Sequence, residues 1–88
     1  MREPHWTQAE AISDPKGVHD SMMEYINGVM VQDALVELKL IFTANQFGDI
    51  GFTIESETER GLFMKTNLRK TFEESVESLF YQLGLLDF

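Results

Sequence analysis

Cysteine is absent from this chain of 88 residues. Its absence excludes disulfides and thiolate metal sites and leaves a hydrophobic core, or a partner, to hold the fold. Long apolar runs are missing as well, and no stretch approaches the ~20 residues that a membrane span needs. The opening segment MREPHWTQAEAISD is polar and carries no apolar run of signal-peptide type. The expected setting is therefore soluble and cytoplasmic, with no membrane involved. Bases are scarce: seven stand against fifteen acids, for a formal net charge of −8. Such a chain is repelled by nucleic-acid phosphates and anionic membranes and attracted to basic surfaces. The six glycines are scattered, and no phosphate-binding glycine pattern, repeat or low-complexity tract is present.

What is present fits one small domain. A chain of this size buries little more than ~60% of its unfolded surface, so stability depends on every element. Residues 1–13 read as an N-terminal tail and residues 14–88 as the domain. Thr7 and Glu10 in the tail have capping-box spacing. Trp6, the only tryptophan, either docks back onto the domain or anchors a partner.

The stretch MEYINGVMVQ poses the first structural choice. Asn27-Gly28 between apolar runs is a strong hairpin signal, yet the preceding HDSMME alternates poorly. Asp14 suits an N-cap, Pro15 suits the first helical position, and Val18, Met22, Tyr25, Ile26 and Val29 fall on one helical stripe. A helix over 15–27 is predicted, stopped by Gly28 in the left-handed conformation. Ala34, Val36, Leu38, Leu40 and Phe42 then alternate as the buried face of a strand, with Leu35, Glu37, Lys39, Ile41 and Thr43 on the other. Two further strands follow. Ile50, Phe52 and Ile54 face in on the first, and Leu62 and Met64 share a face on the second. Thr71 and Glu74 open a last helix whose stripe is Phe72, Val76, Leu79, Phe80 and Leu83, and Gly84 ends it. The predicted fold is α+β in the order α-β-β-β-α, a three-stranded antiparallel sheet with two helices packed on one face.

Chemistry-bearing motifs are weak. His19, Asp20 and Ser21 are the residue types of a nucleophilic triad, but adjacent helical residues diverge. Asp49, Glu55, Glu57 and Glu59 form a carboxylate ladder without the convergent loop that calcium requires. No enzyme activity, metal or cofactor is expected. The charge pattern is more informative. Arg60, Lys65, Arg69 and Lys70 sit between the acids Glu55, Glu57, Glu59 and the acids Glu73, Glu74, Glu77. These groups either pair with one another or present an outward acidic surface.

The leading expectation is a small acidic protein-binding module. It would inhibit a protein partner by occupying a basic or nucleic-acid-binding surface, as phage anti-defence and DNA-mimic proteins do. Glu55, Glu57, Glu59, Glu73, Glu74 and Glu77 would make the contact. The alternative is a self-associating assembly protein, a homodimer through Leu35, Ile41, Leu85, Leu86 and Phe88. The element order, with basic KTNLRKTF before the last helix, also resembles the double-stranded-RNA-binding domain. That resemblance implies phosphate contacts by Lys65, Arg69 and Lys70. Glu73, Glu74 and Glu77 follow at once and oppose phosphate, so nucleic acid is the least favoured partner.

Overall fold

The computed structural model describes residues 5–30 and 33–85. A short helix α1 (Gln8–Ser13) precedes α2 (Pro15–Val29). Strands β1 (Leu35–Ala44), β2 (Ile50–Thr58) and β3 (Phe63–Lys65) follow, and α3 (Phe72–Gln82) completes the order. The strands form one antiparallel sheet in the order β1-β2-β3. Helix α2 packs on β1 and α3 on β2, with α1 against both helices. The fold is thus the α+β arrangement read from the sequence, with one added helical turn and a half at its start.

Local chemistry explains the helix ends. The Asp14 carboxylate accepts from the Gly17 N–H (3.1 Å), and Thr71 Oγ1 accepts from the Glu74 N–H (3.2 Å). Both satisfy donors that a first turn leaves unpaired. Thr7 does the same for α1 through the Glu10 N–H (3.2 Å). Gly84, at φ 76°, closes α3 in the left-handed region. At Asn27-Gly28 the chain is helical, but the helix does not stop there. It runs on to Val29, capped by the Met30 N–H on the Ile26 carbonyl (3.0 Å). Asn27 has a different task. Its amide holds both backbone groups of Leu35, at 2.9 Å and 3.3 Å. The left-handed turn residue is Asp33 instead, at φ 62°. Its carboxylate accepts from the Arg60 N–H (3.1 Å) and pairs with the Arg60 guanidinium (3.3 Å).

The core joins Val18, Met22 and Ile26 of α2, Leu35, Leu38 and Ile54 of the sheet, and Phe72, Val76, Leu79 and Phe80 of α3. Trp6 belongs to it too, at 1% exposure. Its ring meets Tyr25 and Phe80 edge-on at 5.9 and 5.7 Å, and its N–H donates to Ser21 Oγ (3.2 Å). Gln8 N–H reaches Glu73 Oε1 (3.0 Å), tying α1 to the start of α3. The described part of the segment read as a tail is therefore packed structure.

Strict alternation fails in β1. The register slips between Leu35, opposite Thr58, and Glu37, opposite Glu57, so Val36 is an extra, bulged residue. The bulge carries Leu35 onto the core face and leaves Val36 exposed, the reverse of the expected phase. At the far end of the hairpin the two helices no longer cover the sheet. Phe42 and Ile50, expected inside, are 66% and 63% exposed. Beyond β3 the third strand resumes at Arg69, which exchanges both backbone bonds with Phe52 (2.7 and 2.9 Å). Gly51 permits this approach, because a Cβ there would overlap the Arg69 carbonyl oxygen.

Candidate functional site

The face of the sheet opposite the helices is covered only at one end, where Thr53 is buried beside Thr66, and its other end carries part of the acidic cluster. Register places Glu37 directly opposite Glu57, Lys39 opposite Glu55, Glu55 opposite Lys65 and Glu57 opposite Phe63. Lys65 pairs with Glu55 (3.8 Å) and Lys39 with Glu37 (3.3 Å). Mutual pairing thus accounts for some of the charge segregation. Glu57 has no ion pair among the described residues, and it stands against Glu37 across the ladder. Like charges directly opposite each other on a sheet destabilise it. Beside them Phe63 is 58% exposed, an aromatic ring in a charged surround. Glu59, exposed in the turn after β2, continues the acidic side.

The other three predicted carboxylates lie elsewhere. Glu73, Glu74 and Glu77 are exposed on α3, in the helix layer on the opposite side of the sheet. The structure therefore divides the six acids between the sheet face and the helix layer. Glu74 and Glu77 line an open depression of about 340 Å³ with Arg69, Ser78 and Tyr81. The bases of the KTNLRKTF segment are partly engaged. Lys65 pairs with Glu55, and Arg69 Nε donates to Ser78 Oγ (3.0 Å).

The residues expected at a self-association surface are dispersed. Leu35 is 3% exposed, inside the core, because of the bulge at Val36. Ile41 is half-buried on the open sheet face, and Leu85 is half-buried against the core. Leu86 and Phe88 lie outside the described residues.

His19, Asp20 and Ser21 serve the fold. His19 Nε2 donates to the Leu38 carbonyl (3.1 Å), and Nδ1 faces the Asp20 carboxylate (3.1 Å). Ser21 turns away to Trp6. The hydrogen-bond contact with His19, with Lys16 also near (3.4 Å), holds the Asp20 carboxyl below its ordinary range. At Asp33, desolvation pushes the carboxyl upward, but the hydrogen bonds and charge of Arg60 outweigh it and the net direction is down. Among the described residues no three His, Asp or Glu side chains converge as metal ligands would, and no helix is long and apolar enough to cross a membrane.

Sequence patterns located the acids but missed the Glu37–Glu57 opposition. Its signal was available only in the register, which runs unbroken from the hairpin end at Ala44–Ile50 to Glu37–Glu57. The chain matches no protein-family model, and neither a curated protein nor a solved structure shows significant similarity to it.

Proposed function

We propose that this protein is a small cytoplasmic binding module that inhibits a protein partner by covering its basic, nucleic-acid-binding surface, and that the open sheet face makes the contact. The observation that supports this reading is the Glu37–Glu57 opposition beside exposed Phe63. The free chain sets two carboxylates opposite each other across the ladder, an unfavourable arrangement that a partner's arginine or lysine placed between them would relieve. Phe63 would supply the apolar anchor that charged rims lack. Net charge would steer the encounter and make it sensitive to salt. The mechanism is occupancy of a surface, with no bond made or broken.

The test separates binding from folding. Glu57→Lys removes the repulsion, so the free protein gains about 0.2–1 kcal/mol of stability, while capture of a salt-sensitive basic partner from cell extract is lost. The pair Glu74→Lys and Glu77→Lys, on the far side, leaves capture intact. Capture by Glu57→Lys equal to the parent, or loss only with the α3 pair, would overturn this assignment of the surface.

A further inference from the structure

The two edges of the sheet are protected unevenly. The even-numbered residues of β2 bond toward β3. Phe52 exchanges bonds with Arg69, Ile54 bonds to Thr66 through its N–H (2.9 Å) and carbonyl (3.0 Å), and the Thr58 N–H reaches the Leu62 carbonyl (3.0 Å). Their β1 partners Leu38, Leu40 and Phe42, opposite Ser56, Ile54 and Phe52, therefore turn their own N–H and C=O groups outward. Three side chains cap such groups elsewhere. Asn27 holds both groups of Leu35, His19 holds the Leu38 carbonyl (3.1 Å), and Gln82 Nε2 donates to the Lys65 carbonyl at the β3 edge (3.3 Å). The first half of β1 also has the Val36 bulge and the Lys39–Glu37 pair. Helix caps, a bulge and edge charges are the devices that keep a strand from pairing with another chain. From Leu40 onward none of them is present. The outward groups of Leu40 and Phe42 have no partner among the described residues, and Leu40–Gly48 carries no charge.

We propose that this unguarded half of β1, Leu40–Ala44, pairs antiparallel with the same segment of a second copy, so that two sheets become one. Three observations name the occupant. First, a two-fold axis at Phe42 sets Phe42 against Phe42 of the second copy and Leu40 against Ala44, so the outward-bonding residues meet one another. Such an interface uses the same patch on both copies and closes on itself. Second, the same register brings Lys39 beside Asn45 of the second copy, whose amide holds the Asp49 carboxylate (3.3 Å). Each end of the shared ladder thus sets a lysine of one copy beside the polar turn of the other, and no acid falls directly opposite an acid. Third, copies with a net charge of −8 repel each other wherever acids face, and this uncharged run is where they can approach. Phe42, 66% exposed and tilted against Phe52 at 5.0 Å, then gains cover from its own counterpart. This assembly is independent of the acidic contact proposed above.

The decisive measurement needs no variant. Amide exchange is followed by NMR in dilute and concentrated protein, beside sedimentation velocity on the same samples. The expected result is a dimer fraction that rises with concentration, with exchange at Leu40 and Phe42 slowing in step. Ile41 and Thr43, whose amides point to β2, stay as they were. Phe42→Lys abolishes the dimer, and Phe63→Lys, on the other edge strand, preserves it. A monomer at every concentration overturns the proposal. So does a dimer in which Leu40 and Phe42 exchange as fast as in dilute protein, or one lost with Phe63→Lys and kept with Phe42→Lys.

Discussion

Asn27 stands in for a strand beside Leu35. Its Oδ1 accepts from the Leu35 N–H at 2.9 Å and its Nδ2 donates to the Leu35 carbonyl at 3.3 Å. One side-chain amide thus completes the start of the sheet from a helix. Asn27→Ala removes both bonds where Leu35 is buried, and unpaired backbone groups there cost about 1–3 kcal/mol. A lower urea midpoint with unchanged slope is the expected outcome. An unchanged midpoint would mean that water replaces the amide at no cost.

Trp6 stands ahead of every helix and strand in sequence and is among the innermost residues in space, touching Tyr25, Phe80 and Ser21. Its fluorescence in the folded protein should lie to the blue and shift red on unfolding, as a single-site reporter. Truncation to alanine opens a large hole in a small core, at about 3–5 kcal/mol. For a domain with ~5–15 kcal/mol in total that is a large share. Far-UV circular dichroism of Trp6→Ala, cold and warm, checks it.

Ser56 offers a gain. Its hydroxyl is buried at 2% exposure between β1 and β3 and finds no hydrogen-bond partner among the described residues. Ser56→Ala removes a desolvated polar group and keeps the backbone pairing. An increase of about 1 kcal/mol is expected, read as a higher thermal midpoint. A decrease would point to a partner the hydroxyl does have in solution.

Acid should weaken two carboxylate contacts, Asp33 with Arg60 and Asp20 with His19 and Lys16. The carboxyls of Asp33 and Asp20 both sit below the ordinary value of 3.8 in the fold. The folded state therefore takes up these protons less readily than the unfolded chain, so the groups stabilise the fold at pH above 3.8. That contribution falls away as pH drops through the lower folded values. Asp33→Asn retains a side chain that tolerates φ 62° but no longer titrates. Its stability profile should be flatter than the parent's over the acid limb and match the parent's slope near neutrality. A parallel acid limb would remove Asp33 from the account.

Local rules located much of this fold. Asp14, Thr71 and Gly84 are caps because their chemistry acts within a few residues. The stripe Phe72, Val76, Leu79 and Phe80 is buried as its spacing implies. The failures arise where a distant residue decides. Asn27-Gly28 carries turn chemistry, but Asn27 is recruited by Leu35, so the helix continues. The Val36 bulge inverts the phase of the first β1 residues, and nothing in alternation marks it. Phe42 and Ile50 obey alternation yet remain exposed, because helix length and not strand pattern fixes where cover ends. The candidate site was legible as a list of acids. Its division into a sheet face and a helix face, and the Glu37–Glu57 opposition, required the assembled layers.

The docking of Trp6 on Phe80 also fixes a schedule. The two rings lie 5.7 Å apart, yet most of the chain separates them in sequence. During synthesis the α2 partners of Trp6, Tyr25 and Ser21, precede α3, and its contact with Phe80 has to wait until α3 has been made. No early intermediate on the ribosome can hold the finished core, so this domain folds only after its last helix is free. Closing so long a loop is slow relative to local helix formation. A nascent chain stalled before Phe80 would leave its only tryptophan without one of the two rings it packs between.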